Sequence, residues 1–112
     1  MREVTLKLER GVPRNAAQKV NLRHWFERQK RDIGIFGSDG QSVGIGFVWQ
    51  TNWALAEKGI DSCVKVLRSL CRGLRGAGVL SPNAMTYILE CRVVYTTDVE
   101  PTGILTIREG VE

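Results

Sequence analysis

Ile60-Asp61-Ser62-Cys63-Val64-Lys65-Val66-Leu67-Arg68-Ser69-Leu70-Cys71-Arg72-Gly73-Leu74-Arg75 carries two patterns at once. At about 100° per residue, Ile60, Cys63, Val64, Leu67, Leu70, Cys71 and Leu74 gather on one side of a helix. The spacing predicts a helix over Asp61–Arg75, closed by Gly76 and Gly78. Upstream, Val43–Thr51 (VGIGFVWQT) is rich in β-branched and aromatic residues and reads as a strand. Gly44 and Gly46 weaken that strand or mark a bulge. Downstream, Ala84–Thr96 is the longest strand candidate. A helix set between two strands points to an α/β arrangement.

The flanking segments extend this frame. In Glu3–Glu9, Val4, Leu6 and Leu8 alternate with polar neighbours, the period of a strand with one buried face. Gly11, Pro13 and Asn15 interrupt regular structure. Asn21 is the expected N-cap of a helix running to Ile33 and ending near Gly34 or Gly37, with Leu22, Trp25 and Phe26 on its apolar side. Trp53 to Gly59 reads as a connector, Asp98–Pro101 as a turn, and Thr102–Glu109 as the last strand. The expectation is one α/β domain over residues 1–112: two main helices packed on a mixed sheet, in the order β-α-β-α-β-β. Met85, Tyr87, Leu89, Cys91 and Val93 lie on one face of Ala84–Thr96, and Ile88 and Val94 on the other. That pattern predicts a strand buried on both sides, by helices on one and a subunit contact on the other.

A chain of 112 residues has room for one core. No apolar run is long enough to span a bilayer, and the N-terminus lacks the apolar stretch of a signal peptide. Cys63, Cys71 and Cys91 are odd in number and lack metal-like spacing, which suits buried thiols in a reducing compartment. The cytoplasm is the expected location. Walker A, GxGxxG and GxSxG patterns are absent, so nucleotide-binding and serine-hydrolase chemistries have no support.

The net charge of +4 gains meaning from where the cations fall. Lys65, Arg68, Arg72 and Arg75 line a stripe beside the apolar side of the second helix, with Asp61 at the stripe's N-terminal end. A solvated face usually mixes signs, whereas four cations in a row repel one another unless a polyanion is the partner. Arg23, Arg28, Lys30 and Arg31 crowd the first helix without forming one stripe. Trp25 and Phe26 are read as packing residues rather than base-stacking platforms. His24, the only histidine, is a candidate phosphate contact or base set against a plain structural role.

Gly59-Ile60-Asp61-Ser62-Cys63-Val64-Lys65, followed by Gly76-Ala77-Gly78-Val79 and Ser81-Pro82-Asn83, resembles the RusA-like Holliday junction resolvase family. That family opens a helix with D-x-D-N-x-x-K, ends it near G-x-G-V, and places two acids in the next turn. Pro13 and Asn21-Leu22-Arg23-His24-Trp25 are similar to its Pro-containing loop and N-x-R-x-H-W-like residues, so the resemblance covers nearly the whole chain. It implies a homodimer that binds four-way DNA junctions and cuts them with Mg²⁺. Asp61 matches the second acid, as metal ligand, and Lys65 the active-site lysine. Gly59 stands where the first acid is expected, Ser62 replaces the Asn, and Pro82-Asn83 replaces the acids of the turn.

By this resemblance Asp61 and Lys65 are the catalytic candidates, and Asp61, Asn83 and Glu57 the candidate Mg²⁺ ligands, with Glu90 a weaker substitute. Arg23, His24, Arg28, Lys65, Arg68, Arg72 and Arg75 are the DNA-binding candidates. Fewer carboxylates weaken a site for a hard cation and also reduce repulsion of phosphate, a change that favours binding over cleavage. The expected function is branched-DNA binding, with Mg²⁺-dependent structure-specific nuclease activity second. The alternative from another class is a non-catalytic interaction domain whose basic helix meets an acidic protein.

Overall fold

The computed structural model of the chain describes residues 2–8, 16–51, 59–95 and 102–110, and only the backbone of Ala16, Gln18, Thr51, residues 59–63 and Tyr95. The elements follow the expected order: β1 (Arg2–Leu8), α1 (Ala16–Ile33), β2 (Val43–Thr51), α2 (Gly59–Ala77), β3 (Thr86–Tyr95) and β4 (Thr102–Glu109). Alternation in β1 buries Leu6 and Leu8 and leaves Glu3, Thr5 and Lys7 exposed. In β2 it buries Val43, Ile45, Phe47 and Trp49.

The sheet has the order β1-β4-β2-β3. β4 runs antiparallel to both β1 and β2, and β2 pairs in parallel with β3. The first three strands therefore point one way and the last strand, inserted between β1 and β2, points the other. Leu6 lies beside Leu105, Leu105 beside Phe47, and Phe47 beside Cys91, one apolar row across the whole sheet. Both helices cover this face. The β2–β3 register shifts between Ile45 and Gly46, and the extra, unpaired residue is Leu89 of β3, facing the glycine-bearing stretch of β2 rather than lying in it.

α2 ends in a Schellman cap. The Val79 N–H donates to the Leu74 carbonyl at 3.0 Å and the Gly78 N–H to that of Arg75 at 3.2 Å. Gly78 supplies the left-handed residue this cap requires, with φ of 81°. Val79 and Leu74 are both fully buried and provide the apolar contact that accompanies it. Gly76, expected to help close the helix, lies inside it because the cap forms two residues later.

α1 begins at Ala16, five residues before the expected cap, so Asn21 sits exposed in mid-helix. Ala16, Ala17, Gln18 and Lys19 are good helix formers, and an interior Asn costs well under about 1 kcal/mol against them. β3 begins at Thr86, two residues later than expected, and lies at the edge of the sheet formed by the described strands, while Thr96 falls outside the described residues. Met85 just before it, Tyr87 and Ile88 are exposed, so one copy of the chain does not bury this strand on both sides. No helix among the described residues is long and apolar enough to cross a membrane.

Candidate nucleic-acid interface

The rotation of α2 is set by its core. Leu67, Leu70, Leu74 and Ala77 are buried, which turns Lys65, Arg68 and Arg72 outward, and all three are exposed. Among the described residues no carboxylate forms an ion pair with any of them. Three neighbouring cations on one helical face repel one another, and a chain of phosphates relieves that repulsion.

Arg75 does not join this face, a correction to the four-cation stripe. Its guanidinium donates to the carbonyls of Ser81 at 3.3 Å, Pro82 at 2.9 Å and Ala84 at 2.9 Å. The chain turns back at Ser81-Pro82-Asn83-Ala84, closed by the Ala84 N–H on the Ser81 carbonyl, and Arg75 satisfies the carbonyls this turn leaves over. The cue in the sequence was the turn itself, one arginine side chain's reach beyond the helix end.

α1 adds a second set of cations. Phe26 is buried against Gly73 of α2, where a Cβ would lie 3.3 Å from its ring, and the Arg23 stem crosses Gly76 at the same 3.3 Å. Two glycines three residues apart thus let the helices approach closely. Outward-facing Arg23 and His24 share Glu27, with contacts of 3.8 Å and 3.4 Å. Arg28 and Arg31 have no ion pair among the described residues, and with His24 and Glu27 they line a shallow groove. Trp25 is half-buried against the core and lies 5.6 Å, ring to ring, from Phe26, consistent with packing rather than an open stacking platform.

Two of the candidate metal ligands, Asp61 and Asn83, lie far apart within one chain. Asp61 lies in the first turn of α2 and Arg75 in the last. At about 1.5 Å per residue that separation is about 21 Å. Asn83 belongs to the turn that Arg75 holds, so it sits at the far end of the helix from Asp61. Strand pairing agrees: Thr86, just after Asn83, is level with Val43 at the start of β2, whereas α2 follows the other end of β2. Glu90 lies opposite Gly46 in mid-strand and pairs with Arg92 at 3.2 Å. Glu57 falls outside the described residues, as does the Asp61 side chain. A hard cation needs several oxygens on one centre, and Asp61 and Asn83 of the same chain cannot share one.

The sequence reading missed a polar clamp at the opposite end of the sheet from the α2 N-terminus. Arg2 donates to the carbonyls of Ile33 and Ile35, lies 4.0 Å over the Phe36 ring, and pairs with Glu109 at 3.4 Å. Glu109 also accepts the Gly37 N–H at 2.7 Å. These partners are far apart in sequence, so no local pattern signals them. No protein-family model matches the chain, and no curated protein matches it either.

Proposed function

We propose that this chain is a branched-DNA-binding protein of the RusA-like resolvase type, acting in the cytoplasm, that grips the phosphate backbone through the outward face of its helix layer and does not cut it efficiently. The observation that carries the reading is the trio Lys65, Arg68 and Arg72, exposed side by side on α2 without carboxylate partners among the described residues. Arg28 and Arg31 on α1 extend the positive surface, and Arg23 and His24 contribute less because Glu27 shares them. Cations held on a rigid helix meet phosphates at little cost in backbone ordering and carry no sequence information of their own. Preference for a junction over a duplex follows from the family resemblance, as does a homodimer. Mg²⁺-assisted cutting has weak support, because Asp61 and Asn83 of one chain lie at opposite ends of α2. Lys65 then acts as a phosphate contact.

Fluorescence anisotropy with a synthetic four-way junction and a matched duplex tests this reading. Affinity is expected to fall steeply between low and moderate salt, and Arg68→Ala with Arg72→Ala to weaken binding and reduce the salt slope by about 2. Binding left unchanged by the pair overturns the proposed face. Absence of DNA binding at any salt leaves the basic helix to an acidic protein partner. Incubation with Mg²⁺ or Mn²⁺ is expected to leave the junction intact; nicks that disappear in Asp61→Asn establish a nuclease instead.

A further inference from the structure

His24, Glu27, Arg28 and Arg31 recur at the spacing of a single helical face and line a groove of about 250 Å³ on α1. That volume falls below the about 300–1,000 Å³ of sites for small organic ligands, and His24, Arg28 and Arg31 suit phosphate oxygens. Glu27 is the exception. It pairs with Arg23 at 3.8 Å and meets His24 at 3.4 Å, with all three side chains about half exposed. An acid four residues before an arginine is the favoured order on a helix. Glu27 nevertheless turns back to Arg23 and leaves Arg31 without an ion pair among the described residues. The Arg23 stem in turn crosses Gly76, one turn beyond Arg72 on the same side of α2. Arg23 therefore stands where the cations of α1 meet those of α2.

We infer that Glu27 is an internal substitute for phosphate: in the unbound chain it holds Arg23 and His24, and a bound nucleic-acid backbone displaces it and takes both. The inference deepens the DNA-binding reading and rests on it for the identity of the polyanion. Exposed pairs of this kind are weak, but a phosphate arriving alone gains little by breaking them. A backbone already held at Lys65, Arg68 and Arg72 presents its next phosphates at high local concentration, and the exchange follows. α2 docks the polyanion, and α1 joins second.

Glu27→Gln removes the charge and keeps the shape, and Glu27 is exposed, so the fold is left intact. Anisotropy with the four-way junction is expected to show about two- to tenfold tighter binding, since the pairs no longer have to be broken. The salt slope is expected to steepen by about 1 as Arg23 becomes a full contact. Arg23→Ala is expected to weaken binding more in the Glu27→Gln background than in the wild-type chain, the mark of two groups that act on each other. Asp32→Asn removes an equal charge from α1, about 140° round the helix, and is expected to give a smaller gain. Inorganic polyphosphate, titrated by calorimetry, is expected to repeat these differences without DNA. Polyphosphate binding that Glu27→Gln leaves unchanged or weakens overturns the inference. An equal gain from Asp32→Asn, or an Arg23→Ala effect that is the same in both backgrounds, overturns it too. Gains with polyphosphate in a chain that ignores DNA count against the DNA reading alone.

Discussion

Arg72 and Arg75 are one turn apart on the same helix, yet they meet different partners. Arg72 ends in solvent, while Arg75 ends on three backbone carbonyls. Arg75→Ala should therefore lower stability by about 1–3 kcal/mol, as expected for charged hydrogen bonds left unmade, and urea melts measure it. Its effect on the salt slope of DNA binding should be smaller than that of Arg72→Ala. Cys71 offers a second check at this scale. Burial pushes its thiol above the ordinary range, and Arg75 pulls it part of the way back. The unfolded thiol loses its proton first as pH rises, so its contribution is complete below the ordinary thiol pKa of about 8.5 and declines above it. Cys71→Ala should flatten the alkaline fall in stability, read from melting temperature against pH.

Gly78 governs how α2 stops, and an alanine there would hold a left-handed backbone with its Cβ 2.9 Å from Lys30 Nζ. Gly78→Ala should cost about 1–2 kcal/mol in thermal unfolding, with little change in DNA affinity. α2 was legible in the sequence because its leucines recur at a helical spacing that only one rotation satisfies. β2 and β4 were legible to the residue, from β-branched runs with clear turns beside them. The start of α1 was not, since Asn21 caps helices well and also survives inside them when good helix formers precede it. β3 misled for a related reason: apolar residues on two faces describe a strand that needs cover, without saying whether helix, sheet or second chain supplies it. Within the candidate interface, Lys65, Arg68 and Arg72 could be placed from periodicity alone. Arg75 could not, because its partners lie in a turn whose path depends on the fold.

At the scale of the molecule, the clamp around Arg2 and Glu109 joins the two ends of the described chain to the loop after α1. Glu109 carries the Gly37 N–H and the Arg2 guanidinium together, with its side chain only 19% exposed. Glu109→Ala should lower stability by about 1–3 kcal/mol, and Glu109→Gln by less because an amide oxygen still accepts the Gly37 N–H; urea denaturation distinguishes them. Such a clamp was invisible in the sequence, as was the separation of Asp61 from Asn83, because both depend on which ends of the parallel strands the loops occupy. The position of β4 has a further consequence. The last described strand in chain order is the one that joins β1 to the rest of the sheet. A chain lacking it holds β1 without a neighbour and β2 with one side open, so the sheet cannot close until β4 is in place. A stop codon ahead of Thr102 should therefore leave a product for proteases rather than a smaller working domain.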